Sequence, residues 1–304
     1  MRAWLNCVVP RRSDHPASTY GWQSSALSKK RDTVLLSRGS VLGIDVGCSP
    51  TSRTSAVCRL DWDETTVSWT IQRFRAVEPE RSETISRVAG SGSLIAAAFD
   101  GPLRRGLDII GRYRAAERLL TRRFQPLIGK PGQSSAPVGR LLNEHANACA
   151  EAVLKVCHIG PTTHDVGIDD RAIVEAFPSA FLGMLIDNPA ALNARRGDRS
   201  DTFFCHLAET AGLERLVEHL LPGRRLAVPL ASVTNHDDRA ALVCGLTALC
   251  VAVGRYTAVG DAEDGWIMLP PVSLHAAWVW PLLDQNAGEE RVGCVIDGEI
   301  ALAA

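Results

Sequence analysis

Five acidic side chains stand where acids are seldom placed without a purpose. Asp45 lies in the apolar run VLGIDVG (41–47), Asp100 ends SLIAAAFD (93–100), and Glu175 sits inside RAIVEAFP (171–178). Asp237 and Asp238 open HDDRAALVCGLTA (236–248), just ahead of an apolar body. A charge inside an apolar segment is costly unless it is paired or bound to a metal. Grouped carboxylates offer the hard oxygen ligands that Mg²⁺ or Mn²⁺ prefers, and such a site performs metal-assisted hydrolysis of phosphate esters. Each acid alone also has a structural reading. Asp45 would cap a turn, Asp100 would begin the Gly101–Pro102 turn, Glu175 would pair with a core arginine, and Asp237 would favour a helix N-terminus electrostatically. The acids lie 55, 75 and 62 residues apart, so only tertiary structure can unite them.

The elements that must position them can be read from pattern. VLGIDVG, TSAVCRLDW and TTVSWTIQRF are short runs rich in Val, Thr, Ile and Trp, separated by turn-prone residues, and predict an antiparallel meander. A Glu-rich helix follows over 78–90, then the buried strand ending at Asp100 and broken by Gly101 and Pro102. Residues 104–140 carry nine basic side chains against Asp108 and Glu117, with helical character that breaks at 129–137. A helix is expected over 138–157, the Glu175 strand over 171–178, and helices over 179–187 and 201–220. A long helix starts near 236 with Asn235 as its N-cap, and TAVGDAEDGWIMLP reads as a hairpin. Strands followed by alternating strands and helices predict the α/β class, a mixed sheet covered on both faces. Trp62, Trp69 and Trp266 read as core or rim packing, with base stacking as the alternative.

Bulk properties set the bounds. The chain has 304 residues, 46% hydrophobic content and a formal net charge of −1, so any nucleic-acid surface must be local rather than global. Only four of its 33 Lys plus Arg are Lys. Nine scattered cysteines, several in apolar runs, point to reduced, buried thiols and a cytoplasmic location. The apolar run 240–254 between Arg239 and Arg255 is too short to span a membrane and predicts a core helix. Residues 1–38, with seven Lys or Arg and many Ser, predict a poorly ordered N-terminal extension. Residues 39–304 would then form one domain, with an Arg-rich helical insertion around 104–160.

The order GIDVG, AAAFDGPLRRG, VEAFPSAFLGML, HDDRAALVCGLTAL and EDGWIMLP, over about 41–270, resembles the predicted RNase H-like nucleases grouped as domain of unknown function 429. The resemblance implies an RNase H-like sheet of three antiparallel strands then parallel ones, and two-metal phosphodiester hydrolysis with Mg or Mn. Asp45 would bridge the ions, Asp100 and Asp237 or Asp238 would be outer ligands, and Glu175 a ligand or the orienter of the water. The chain departs from the pattern at Ala240, where the family often has a further Asp, so Asp238 becomes the substitute. Arg104, Arg105, Arg112 and Arg114, following Asp100, would contact nucleic acid. Two rival readings remain: an actin-like or sugar-kinase ATPase, suggested by GIDVG before TSAV, and an RNase H-like domain that binds nucleic acid without cutting.

Overall fold

Short runs rich in β-branched and aromatic side chains build three strands at the start of the described chain. β1 (Gly39–Asp45), β2 (Ser55–Trp62) and β3 (Thr66–Phe74) pair antiparallel in sequence order, as the pattern predicts. A computed structural model describes residues 37–106, 112–160, 171–193, 199–297 and 299–302, and Val34–Ala304 group as one compact unit. The extension expected over 1–38 lies, as far as residue 36, outside the described residues.

After β3 comes α1 (Glu80–Ala89), then the two-residue β4 (Ser93–Leu94) and β5 (Ala96–Asp100), which returns beside β1 in parallel. The Arg-rich segment gives α2 (Ala115–Leu119) and α3 (Gln125–Ile128), followed by α4 (Pro137–Val156) and β6 (His158–Ile159), which pairs with β4. β7 (Ile173–Ala176) lies parallel to β5. Helices α5 (Pro178–Gly183), α6 (Arg199–Glu209) and α7 (Gly212–Leu220) precede β8 (Arg225–Leu226), and α8 (His236–Ala252) leads to the hairpin β9 (Thr257–Asp261) and β10 (Gly265–Leu269). Helix α9 (Val279–Glu290) and strands β11 (Cys294–Ile296) and β12 (Glu299–Leu302) end the description. The main sheet has ten strands in the order β12-β11-β9-β10-β7-β5-β1-β2-β3-β8, mixing antiparallel and parallel pairs. The fold is therefore a mixed α/β one.

Helices cover both faces, and one pair of neighbours on β2 shows it. Successive strand residues point to opposite sides. Cys58 lies under Gly245 of α8, whereas Arg59 reaches the Ala89 carbonyl at the end of α1. Helix α8 is buried from Ala240 to Val251 all round, so its apolar run is a core helix; no helix among the described residues is long and apolar enough to cross a membrane. The eight described cysteines are all free thiols. Trp62 and Trp266 are buried and Trp69 packs against the core, in line with packing rather than base stacking.

One expectation changes. The helix expected over 201–220 is two helices, broken at Ala211, whose left-handed backbone (φ 55°) no helix interior accommodates. Within the Arg-rich stretch α2 packs on β9 and α9 while α4 packs on α1. Its arginines are tied down by a partner far along the chain: Arg118 and Arg122 pair with Glu290, and Arg122 and Arg123 with Glu289.

Candidate functional site

Asp45 closes β1 and Asp100 closes β5, and the parallel register sets them directly opposite each other. Two residues earlier on the same face, Gly43 explains how α8 comes so near. A Cβ at Gly43 would stand 2.0 Å from the Gly245 nitrogen and 2.3 Å from the Ala241 carbonyl, so only glycine lets the helix backbone lie on the strand. The helix runs against the direction of β1 and brings its first turn over the end of that strand. Asn235 fixes that turn, its Oδ1 accepting the backbone N–H of Asp237 (3.0 Å) and of Asp238 (3.3 Å).

The result is a group of like charges that feel one another. Burial, then the fields of Asp100, Asp237 and Asp238, push the Asp45 carboxyl well above the ordinary carboxylate range. Asp100 is pushed up to about 7 by burial and by Glu175, with His236 opposing. Burial also raises Asp238, against the pull of Arg73. Among the described residues no side chain hydrogen-bonds or ion-pairs with Asp45 or Asp100. Asp238 Oδ1 is buried without a hydrogen bond, with Arg73 Nε 3.6 Å away. Arg73 was not singled out by sequence; its only signal there was its place on an outer strand.

The titration of Asp100 has a measurable consequence. This group gains its proton near pH 7 when folded and near its ordinary 3.8 when unfolded. Between those values the folded chain holds more protons, so stability falls as pH rises through that window and then levels off. Asp100→Asn abolishes the penalty. In calorimetric melts without divalent cations its midpoint exceeds the parent's at pH 8, and the gap closes toward pH 4; equal midpoints at pH 8 would mean that Asp100 carries no such strain.

Glu175 is not among the acids that raise Asp45, and it has a cation of its own. Register offsets the two acids by one residue, Glu175 lying opposite Phe99 and Ala176 opposite Asp100, yet both line one cavity and the Glu175 charge raises Asp100. There Arg114 takes both of its oxygens, Nη1 to Oε2 at 2.9 Å and Nη2 to Oε1 at 2.6 Å. Burial raises the Glu175 carboxyl and the guanidinium pulls it back. Arg114 is itself 1% exposed and also bonds Glu117, Ser134 and the Asp264 carbonyl. It is interior, not a nucleic-acid contact as expected from sequence. Arg104 and Arg105 are on the surface, Arg104 Nε donating to the Glu263 carbonyl (2.7 Å) and Arg105 pairing with Glu151 (2.6 Å). Arg112 is exposed.

As placed, no three His, Cys, Asp or Glu side chains among the described residues stand close enough to enclose an ion. The arrangement supplies a group of half-buried acids at one end of the sheet, flanked by a helix N-terminus. No protein-family model, curated protein or solved structure matches the chain.

Proposed function

We propose that this protein is a divalent-metal-dependent phosphodiesterase with an RNase H-like fold, acting on nucleic acid. The observation that carries the reading is the convergence of Asp45, Asp100, Asp237 and Asp238, with their mutual repulsion left uncompensated except by Arg73 at 3.6 Å and the nearby His236. Strand order supports it too. β3-β2-β1-β5-β7 is an antiparallel trio continued by two parallel strands, with acids on the first and fourth strands in sequence and on the helix that crosses them.

The donor set fits Mg²⁺ or Mn²⁺: oxygen ligands only, one of them, Asp238 Oδ1, lacking a hydrogen-bond partner. Asp45, Asp100 and Asp237 or Asp238 would hold the metal, which when bound lowers the pKa of a water and stabilises charge on the leaving oxygen. The chain's own contributions are positional. Asn235 holds the α8 acids over Asp45, and Arg73 restrains Asp238. His236, its Nδ1 3.0 Å from Asp201 Oδ2, sits at the rim beside the α8 acids. With the Arg114 clasp on Glu175, that residue acts as a fixed negative charge near Asp100. Ala240 leaves the next turn of α8 without an acid, so Asp238 is the fourth ligand in this reading.

The test is Mn²⁺ titration by calorimetry, with cleavage assays on single-stranded, duplex and branched DNA and RNA. Saturable Mn²⁺ binding with metal-dependent cleavage is expected. Neither binding nor cleavage would overturn the reading. Strand binding without Mn²⁺ uptake would favour the non-cutting domain, for which Ala240 is the best argument. Thermal stabilisation by nucleotide would favour the ATPase.

A further inference from the structure

A second feature lies beside the acids, near the Arg114 clasp. A cleft of about 590 Å³ is lined by Arg112, Tyr113, Gln125 and Lys130 among others, and a cleft of about 270 Å³ by Gln125, Lys130, Phe177 and Arg199. Gln125 and Lys130 belong to both, so the two are neighbours. Phe177 in turn lines the cavity of about 180 Å³ that contains Asp100 and Glu175. The clefts thus adjoin the cavity that Asp100 and Glu175 line.

Its chemistry is one-signed. Among the described residues no carboxylate lines either outer cleft. Among the described residues Arg112, Lys130 and Arg199 have no acidic partner: Lys130 Nζ reaches the Tyr113 hydroxyl at 3.4 Å and Arg199 donates to the Gln125 carbonyl at 3.3 Å. This contrasts with Arg118, Arg122 and Arg123, whose charges are consumed by Glu289 and Glu290. Unpaired cations in a row suit an anionic chain, and the ring of Tyr113, held beneath Lys130 with the ammonium 5.7 Å from its centroid, presents a half-buried aromatic surface along it. Cations that follow a backbone combined with rings on which bases stack is the recognition mode of single strands; in a duplex the base faces are already stacked on each other.

We propose that these clefts bind a single nucleic-acid strand, with Arg112, Lys130 and Arg199 on successive phosphates and Tyr113 under a base, leading the strand to Asp100. The proposal rests on the phosphodiesterase reading for the purpose of the track, but binding to it is measurable without metal or cleavage. The experiment is fluorescence anisotropy of the full chain with a labelled 12-nucleotide single strand, a matched duplex and a mononucleotide in EDTA, over a range of salt, with Mn²⁺ calorimetry on the same proteins. The parent is expected to prefer the single strand. Arg112→Glu with Lys130→Glu should weaken it at least tenfold and reduce the magnitude of the log–log salt slope by about 1.4, the loss of two single-strand phosphate contacts. Lys130→Arg should bind as the parent, Tyr113→Ala more weakly, and Lys155→Glu, exposed on the last turn of α4, unchanged. Thermal midpoints equal to the parent's show that the variants are folded. Undiminished single-strand binding by the double variant, equal binding of the duplex, or no binding by the parent would each overturn the track. Retained groove-dependent binding with no Mn²⁺ uptake would leave the track standing and sink the phosphodiesterase reading alone.

Discussion

Asp45→Asn is expected to lower cleavage about 10³-fold or more and to abolish Mn²⁺ uptake in calorimetry, while making the metal-free chain more stable. The first effect is the loss of a group that acts on charge developing in the transition state, where removal of a single electrostatic contributor costs roughly 3 to 4 kcal/mol. The second has the opposite sign from what a structural carboxylate would give. Asp45 is raised by burial and by three neighbouring acids, so folding it in ionised form costs free energy that the amide does not cost. A gain of about 0.5 to 2 kcal/mol in the apo protein is the size usual when a strained functional group is relieved. Urea melts in EDTA at pH 8 measure it. A destabilised Asp45→Asn would mean that the carboxylate holds the fold together, and the acidic pocket would lose its functional reading.

Arg114→Met should act in the reverse direction and cost about 3 to 5 kcal/mol, since it leaves Glu117 and Glu175 buried without their cation. Arg114 and Glu117 are 1% and 0% exposed and Glu175 8%, so water cannot replace the lost contacts. Adding Glu117→Gln and Glu175→Gln to Arg114→Met should recover most of the loss, because an uncharged trio carries no unpaired charge. The urea midpoint of the single and triple variants checks both. A loss under about 1 kcal/mol for the single variant would show that the clasp is solvated, and Glu175 would return as a candidate for the acidic pocket.

Some of this arrangement was legible without coordinates. The runs VLGIDVG, TSAVCRLDW and TTVSWTIQRF specify strands because their Val, Thr, Ile and Trp content acts locally, and the breakers between them leave little room for anything but a meander. The Asn235 cap and the apolar run behind Asp237 and Asp238 define α8 for the same reason: each signal acts within a few residues. Glycine at 43 was visible only as part of GIDVG; that it exists to admit a helix backbone depends on residue 245, two hundred positions away. The late elements α9, β11 and β12 carry no clear local pattern, although α9 holds the glutamates that pair with three of the nine basic side chains of the Arg-rich stretch.

What sequence alone determined is which segments are strands and helices and that acids stand at their ends, since propensity, periodicity and capping are short-range. Tertiary structure decided which acids meet. Asp100 ends β5 and Glu175 stands one residue short of the end of the neighbouring parallel strand β7, and that offset gives Glu175 to Arg114 while it still acts on Asp100. Register between strands 75 residues apart and the burial of an arginine between two glutamates are set by packing of the whole sheet, and no local rule carries that information.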